Sequence, residues 1–165
     1  MPRRRAIQPA FSLIELVIVV VIIGILGAIA VPRLSGMGRN TGEVALAQNL
    51  SILTRAIELY KVEHLGTPPT TAAQLIRFSD EDGNVNSARG FPYVYGPYLF
   101  KLPTLTIGVN RGNTDITTGG SPGDNASAGW WIDGTTGDVR ANAPDSDLLS
   151  TGTPINSFKV SQFSN

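Results

Sequence analysis

The chain has no cysteine among its 165 residues and a single histidine, His64. The first absence removes any disulfide framework, thiol nucleophile or cysteine-based metal site. The second leaves no cluster of imidazoles for a metal and deprives most catalytic triads of their base. Charge is scarce as well, at 16% of residues, and its formal sum is zero. Arg3, Arg4 and Arg5 stand in the first ten residues, and behind them ten basic residues face thirteen acidic ones, a net of −3. No basic stripe remains to neutralise phosphates, so nucleic acid is not an expected partner. With no recognisable nucleophile setting either, the chain is not expected to be an enzyme.

What is present is a long apolar run. From Phe11 to Val31, Glu15 is the only charged residue. A helix of this length covers about 30 Å, the thickness of a bilayer's hydrocarbon core. Basic residues before the run put its N-terminal side in the cytoplasm and the remainder outside. A charge at the centre of such a helix costs roughly 2.5–3.5 kcal/mol on insertion scales, so Glu15 requires a reason. A cleaved export signal, with Arg3 to Arg5 as its basic region and the small residues 28–30 as its cleavage site, leaves Glu15 unexplained. So does an ordinary membrane anchor, and the residues around the arginines do not support twin-arginine export.

The stretch "AFSLIELVIVVVIIGILGAIAVPRL" resembles the N-terminus of bacterial type IV prepilins and type II secretion pseudopilins. The match lies in Phe11, Ser12, Leu13, Ile14, Glu15 and Leu16, and the family's helix-weakening glycine and proline fall on Gly24 and Pro32. Ala10 stands where that family usually has glycine. The resemblance implies that a prepilin peptidase cuts between Ala10 and Phe11 and methylates the new amine of Phe11. It also implies that Glu15 is an assembly residue, pairing with the terminal amine of a neighbouring subunit. Opposite charges 4 Å apart attract by about 4 kcal/mol at an effective dielectric of 20. Leaving one partner unpaired costs on the order of 3–5 kcal/mol, which favours one axial register of stacked helices.

After the run, Pro32, Gly36, Gly38 and Gly42 predict a bent or partly melted segment over about 32–42. Leu46, Leu50, Leu53, Ile57 and Tyr60 then recur at spacings of 4, 3, 4 and 3, the stripe of a helix packed on one side. Gly66 and the prolines at 68 and 69 stop it, and His64 falls at its end in a structural role. Thr71 and Gln74 have capping-box spacing before a short helix near 72–78. Residues 43–76 again resemble major pseudopilins.

Beyond residue 78 the chain is rich in loops. Asp80, Glu81 and Asp82 read as a solvated acidic turn, and residues 91–110 as one or two short strands. The runs Trp130 to Asp133 and Asp138 to Ala141 flank a turn with glycine at both ends and predict a hairpin. Trp131 and Val139 are expected to face the helix, Trp130 and Ile132 the other side. Residues 155–163 are a candidate third strand. Asp133, Asp138, Asp145 and Asp147 are candidate calcium ligands, since calcium wants six to eight oxygens and the resemblance extends to calcium-binding pseudopilins; the plainer reading is polar residues on exposed loops. No other cofactor is expected.

The expected architecture is α+β and type IV pilin-like: a long N-terminal helix, half transmembrane and half amphipathic, packed on a small antiparallel sheet with long loops. Its parts are a basic leader (1–10), a transmembrane or filament-core helix (11–32), a glycine-rich flexible segment (33–42) and an α+β head (43–165). The function implied is that of a structural subunit of a type IV pilus-like or type II secretion pseudopilus filament. Its implied partners are identical or related subunits, the prepilin peptidase, an inner-membrane assembly platform and, before assembly, membrane lipid. The chain would begin as a single-pass inner-membrane precursor and end in a periplasmic or cell-surface filament. The rival is an anchored or secreted binding domain, for instance one holding sugar on Trp130 and Trp131.

Overall fold

The computed structural model describes residues 12–158, and within its first helix the side chains of residues 29–40 lie outside the description. The chain divides into two compact units, Met1–Gly38 and Arg39–Asn165. Helix α1 is Leu13–Glu63 and α2 is Ala72–Ile76; the strands are β1 (Phe78–Ser79), β2 (Val85–Asn86), β3 (Ile116–Thr117), β4 (Trp130–Ile132) and β5 (Val139–Ala141). A 3-10 turn, Ile155–Ser157, closes the described chain. The class is therefore mixed α+β.

In the first unit, the Ser12 carbonyl accepts from the Glu15 and Leu16 amides at 3.1 and 3.2 Å and so begins α1. The backbone of α1 is helical without a gap through residues 32–42, where a partly melted segment was expected. One proline removes one donor, and each glycine costs only about 1 kcal/mol relative to alanine, which the flanking turns sustain.

The second unit is built on the expected stripe. Leu46, Leu50, Leu53, Ile57 and Tyr60 are all buried, and they pack with Leu75, Leu105, Trp130, Ile132 and Ala141. Helix α2 starts as its capping residues foretell: Gln74 Oε1 accepts from the Thr71 amide at 3.1 Å and the Thr70 amide at 2.7 Å. It is shorter than expected, ending at Ile76.

The sheet departs from expectation in three ways. It is mixed, because β3 runs parallel to β4 while β4 and β5 are antiparallel. The long segment between residues 117 and 130 supplies the crossover that a parallel pair needs. The third strand of this sheet is Ile116–Thr117; of the stretch 155–163 expected to supply it, residues 155–157 form the 3-10 turn and 159–163 lie outside the described residues. Residues 91–110 hold no strand; single bridges join Ser79 to Tyr95 and Gly90 to Tyr93. The acidic turn 80–84 is instead the tip of a small antiparallel hairpin, β1–β2.

The β4–β5 hairpin exists and Val139 faces the core as expected, but the two faces of β4 are reversed. Ile132 pairs with Val139 and Trp130 with Ala141, and these four side chains are buried. Directly opposed residues of an antiparallel pair share a face, so Val139 goes with Ile132 and not with Trp131. Trp131 lies across from Arg140 on the outer face, with the guanidinium carbon 5.6 Å from its ring centroid.

Candidate functional site

The first turn of α1 carries Glu15, exposed and without an ion-pair partner among the described residues. Around and after it the helix is apolar on every side and bare: Leu13 is 81% exposed and Ile23 63%, with Val17 and Val19 the more covered at 44% and 46%. A helix apolar all round must be covered by lipid or by other helices. Gly24 adds an open notch, since a methyl group there would meet nothing within 4 Å. Among the described residues no helix is long and apolar enough to cross a membrane. The apolar run whose side chains are described covers residues 13–28, about 24 Å of helix. Ala10 and Phe11, the cleavage and methylation residues, lie outside the described residues. Pro32 lies in the helical backbone, with its side chain outside them.

The four aspartates that are candidate calcium ligands each have partners of their own. Asp133 Oδ1 accepts from the Thr135 and Thr136 amides at 2.8 and 3.0 Å, and these bonds, that of Thr136 foremost, hold its carboxyl below the usual range. Asp138 lies 3.9 Å from the Arg140 guanidinium. Asp145 accepts from Asn156 Nδ2 at 2.8 Å, and Asp147 from the Val109 amide at 2.6 Å. Among the described residues no three histidine, aspartate or glutamate side chains gather as a metal site. Asp133 is engaged by its own turn, and Asp145 and Asp147 by residues distant in the chain.

Two features of the head escaped the sequence. One is the corner around His64, which is buried and stacked on Tyr60 with ring centroids 3.8 Å apart. Its nitrogens lie 2.8 Å from the Tyr60 carbonyl and 2.9 Å from the Asp80 carbonyl, and Ser79 Oγ is 3.0 Å from Nε2. This ring joins the end of α1 to β1. Beside it the Tyr98 hydroxyl donates to Glu63, and burial first, then that carboxylate, push its phenol well above the ordinary tyrosine value. The other is a cavity of about 590 Å³ whose lining includes Glu43, Ile107, Val109, Asp147, Leu148 and Ile155. Neither has a local motif, because each assembles residues far apart in the chain.

Residues 5–31 match the family described as the prokaryotic N-terminal methylation motif. The bare apolar stretch of α1 that follows Glu15 thus falls within that motif. Over a longer stretch, the chain is 32% identical across 107 residues to type II secretion system core protein G of Aeromonas hydrophila, covering 62% of this chain and 68% of that one. It is 28% identical to the protein of the same name from Klebsiella pneumoniae over 138 residues, 77% of this chain and 96% of the relative. For the Vibrio cholerae protein the figures are 28% over 134 residues, 76% and 89%. No solved structure matches the chain. The chain belongs to the family of type II secretion system core protein G, the major pseudopilins.

Proposed function

We propose that this chain is a structural subunit of a secretion pseudopilus, cut by a prepilin peptidase between Ala10 and Phe11, methylated at Phe11 and assembled through α1. The observation that carries the reading is the methylation motif over residues 5–31 together with the stretch 13–28 of α1, where the apolar side chains are exposed and Glu15 has no ion-pair partner among the described residues. Before assembly, lipid of the inner membrane covers that helix; in the filament, sister helices do, and Glu15 meets a neighbour's terminal ammonium. The head carries no catalytic role, and the mechanical work comes from cytoplasmic ATPases. A periplasmic pseudopilus fits better than a surface pilus, since no cysteine is present to close a distal disulfide loop.

The test is the mass of the N-terminal peptide of the mature chain. A chain starting at methylated Phe11 is expected. A start at Val31 would mean plain secretion, and an intact leader a simple anchor. The rival reading of a sugar platform on two tryptophans is disfavoured by burial: Trp130 has no exposed surface and its indole N–H donates to the Pro103 carbonyl at 2.8 Å.

A further inference from the structure

Phe100 is 99% exposed, yet its backbone is not loose. The amides of Tyr98 and Leu99 both donate to the Leu75 carbonyl, at 3.0 and 2.9 Å, and the Tyr98 hydroxyl reaches Glu63. A phenyl ring held out by a clamped loop keeps its full hydration cost without the entropy of a mobile tip. Lys101, also exposed, follows it. This aromatic and cation pair sits by the C-terminal end of α1. The cavity is lined by Glu43, twenty residues before Glu63 in the same helix, and by Ile107, seven residues after Phe100.

The cavity suits that pair. Ile107, Val109, Leu148 and Ile155 give it apolar wall, and Val109 and Leu148 are 70% and 44% exposed. Among the described residues of its lining, Glu43 and Asp147 supply two carboxylates and Arg111 one guanidinium. Both acids are already fixed, Glu43 by the Ser150 hydroxyl at 2.7 Å and Asp147 by the Val109 amide. A volume of about 590 Å³ has room for a phenyl ring and a lysine stem.

We propose that Phe100 and Lys101 of one copy seat in this cavity of the next copy's head, the ring against the Ile107 and Leu148 wall and the ammonium beside Asp147. Knob and socket lie on different parts of the surface, so the contact is head-to-tail and does not close on itself; repeated, it propagates an open filament. The inference rests on the filament reading and adds a head-to-head contact to it.

The native chain contains no cysteine, so paired cysteines report the contact without background. The full chain carrying Phe100→Cys and Leu148→Cys, expressed with its secretion machinery and oxidised, is expected to give a ladder of covalent multimers. The pair Ser127→Cys and Leu148→Cys is expected to give none. Phe100→Ala is expected to lower filament yield about tenfold, the loss typical of truncating an interface anchor, while leaving the head's melting temperature unchanged because the ring touches little within its own chain. Filaments without a ladder, a ladder equal to that of the control pair, or an undiminished yield from Phe100→Ala would each overturn the contact alone. Absence of filaments from the unaltered chain would overturn the filament reading, and the contact with it.

Discussion

Asn142 anchors a stretch of the distal loops with one fully buried side chain. Its Nδ2 donates to the carbonyls of Asn125 and Ala128, and its Oδ1 accepts from the Gly123 amide at 2.6 Å. Asn142→Asp would set a carboxylate oxygen against two carbonyls, and buried polar groups left unsatisfied cost about 1–3 kcal/mol each. A loss of about 2–4 kcal/mol in urea denaturation is expected. Tyr98 makes a second prediction at this scale. Its phenol is held protonated in the fold, its pKa raised by burial and by Glu63, and Tyr60 is raised too, by burial and then by Asp80. A raised folded-state pKa gives stability that is complete below the ordinary tyrosine value near pH 10 and is lost as pH climbs past it. Tyr98→Phe should therefore flatten the alkaline fall in stability measured between about pH 9 and 12, while costing about 1 kcal/mol at neutral pH.

Among the elements, the two that carry the head are the second half of α1 and strand β4. Leu50 is fully buried in the helix stripe, and Leu50→Ala should cost about 2–5 kcal/mol in a thermal melt. Gly129, just before β4, tolerates no side chain: a methyl there would lie 2.2 Å from the Asn113 carbonyl oxygen, which itself accepts from the Leu105 amide. Backbone cannot yield as a flexible side chain can, so Gly129→Ala is expected to be among the most damaging single changes in the head, seen as loss of folded yield. The α1 stripe was legible because a period of 3.6 needs only local spacing, and Leu46 to Tyr60 keep it. The cap at Thr71 and Gln74 was legible for the same reason. The hairpin's existence was legible from its glycine-flanked turn, but not its faces. Those depend on which residue opposes which: Asp133 donates its amide to the Asp138 carbonyl, and that fixes Ile132 against Val139. The parallel pairing of β3 was invisible because it joins segments through a long connection with no periodicity of its own.

For the whole molecule, the methylation motif was legible at the N-terminus because it is local, over residues 5–31, and the cavity of the head was not, because it draws on Glu43, Ile107 and Leu148 from three separate stretches. Glu15→Ala is expected to sharply reduce filament number and length in cells while leaving the head's melting temperature unchanged, because Glu15 belongs to the first unit and the head's core to the second. Electron microscopy of sheared or purified filaments, with a thermal melt of the same chain, separates assembly from folding.

The neighbouring indoles of β4 give this molecule an optical gauge of its own. Trp130 is sealed in the core and tied to Pro103, while Trp131 lies outward beside a guanidinium. Loss of the native head should therefore shift fluorescence emission to longer wavelength chiefly through the first ring. Contact with another molecule at the outer sheet face should perturb the second and leave the first unmoved.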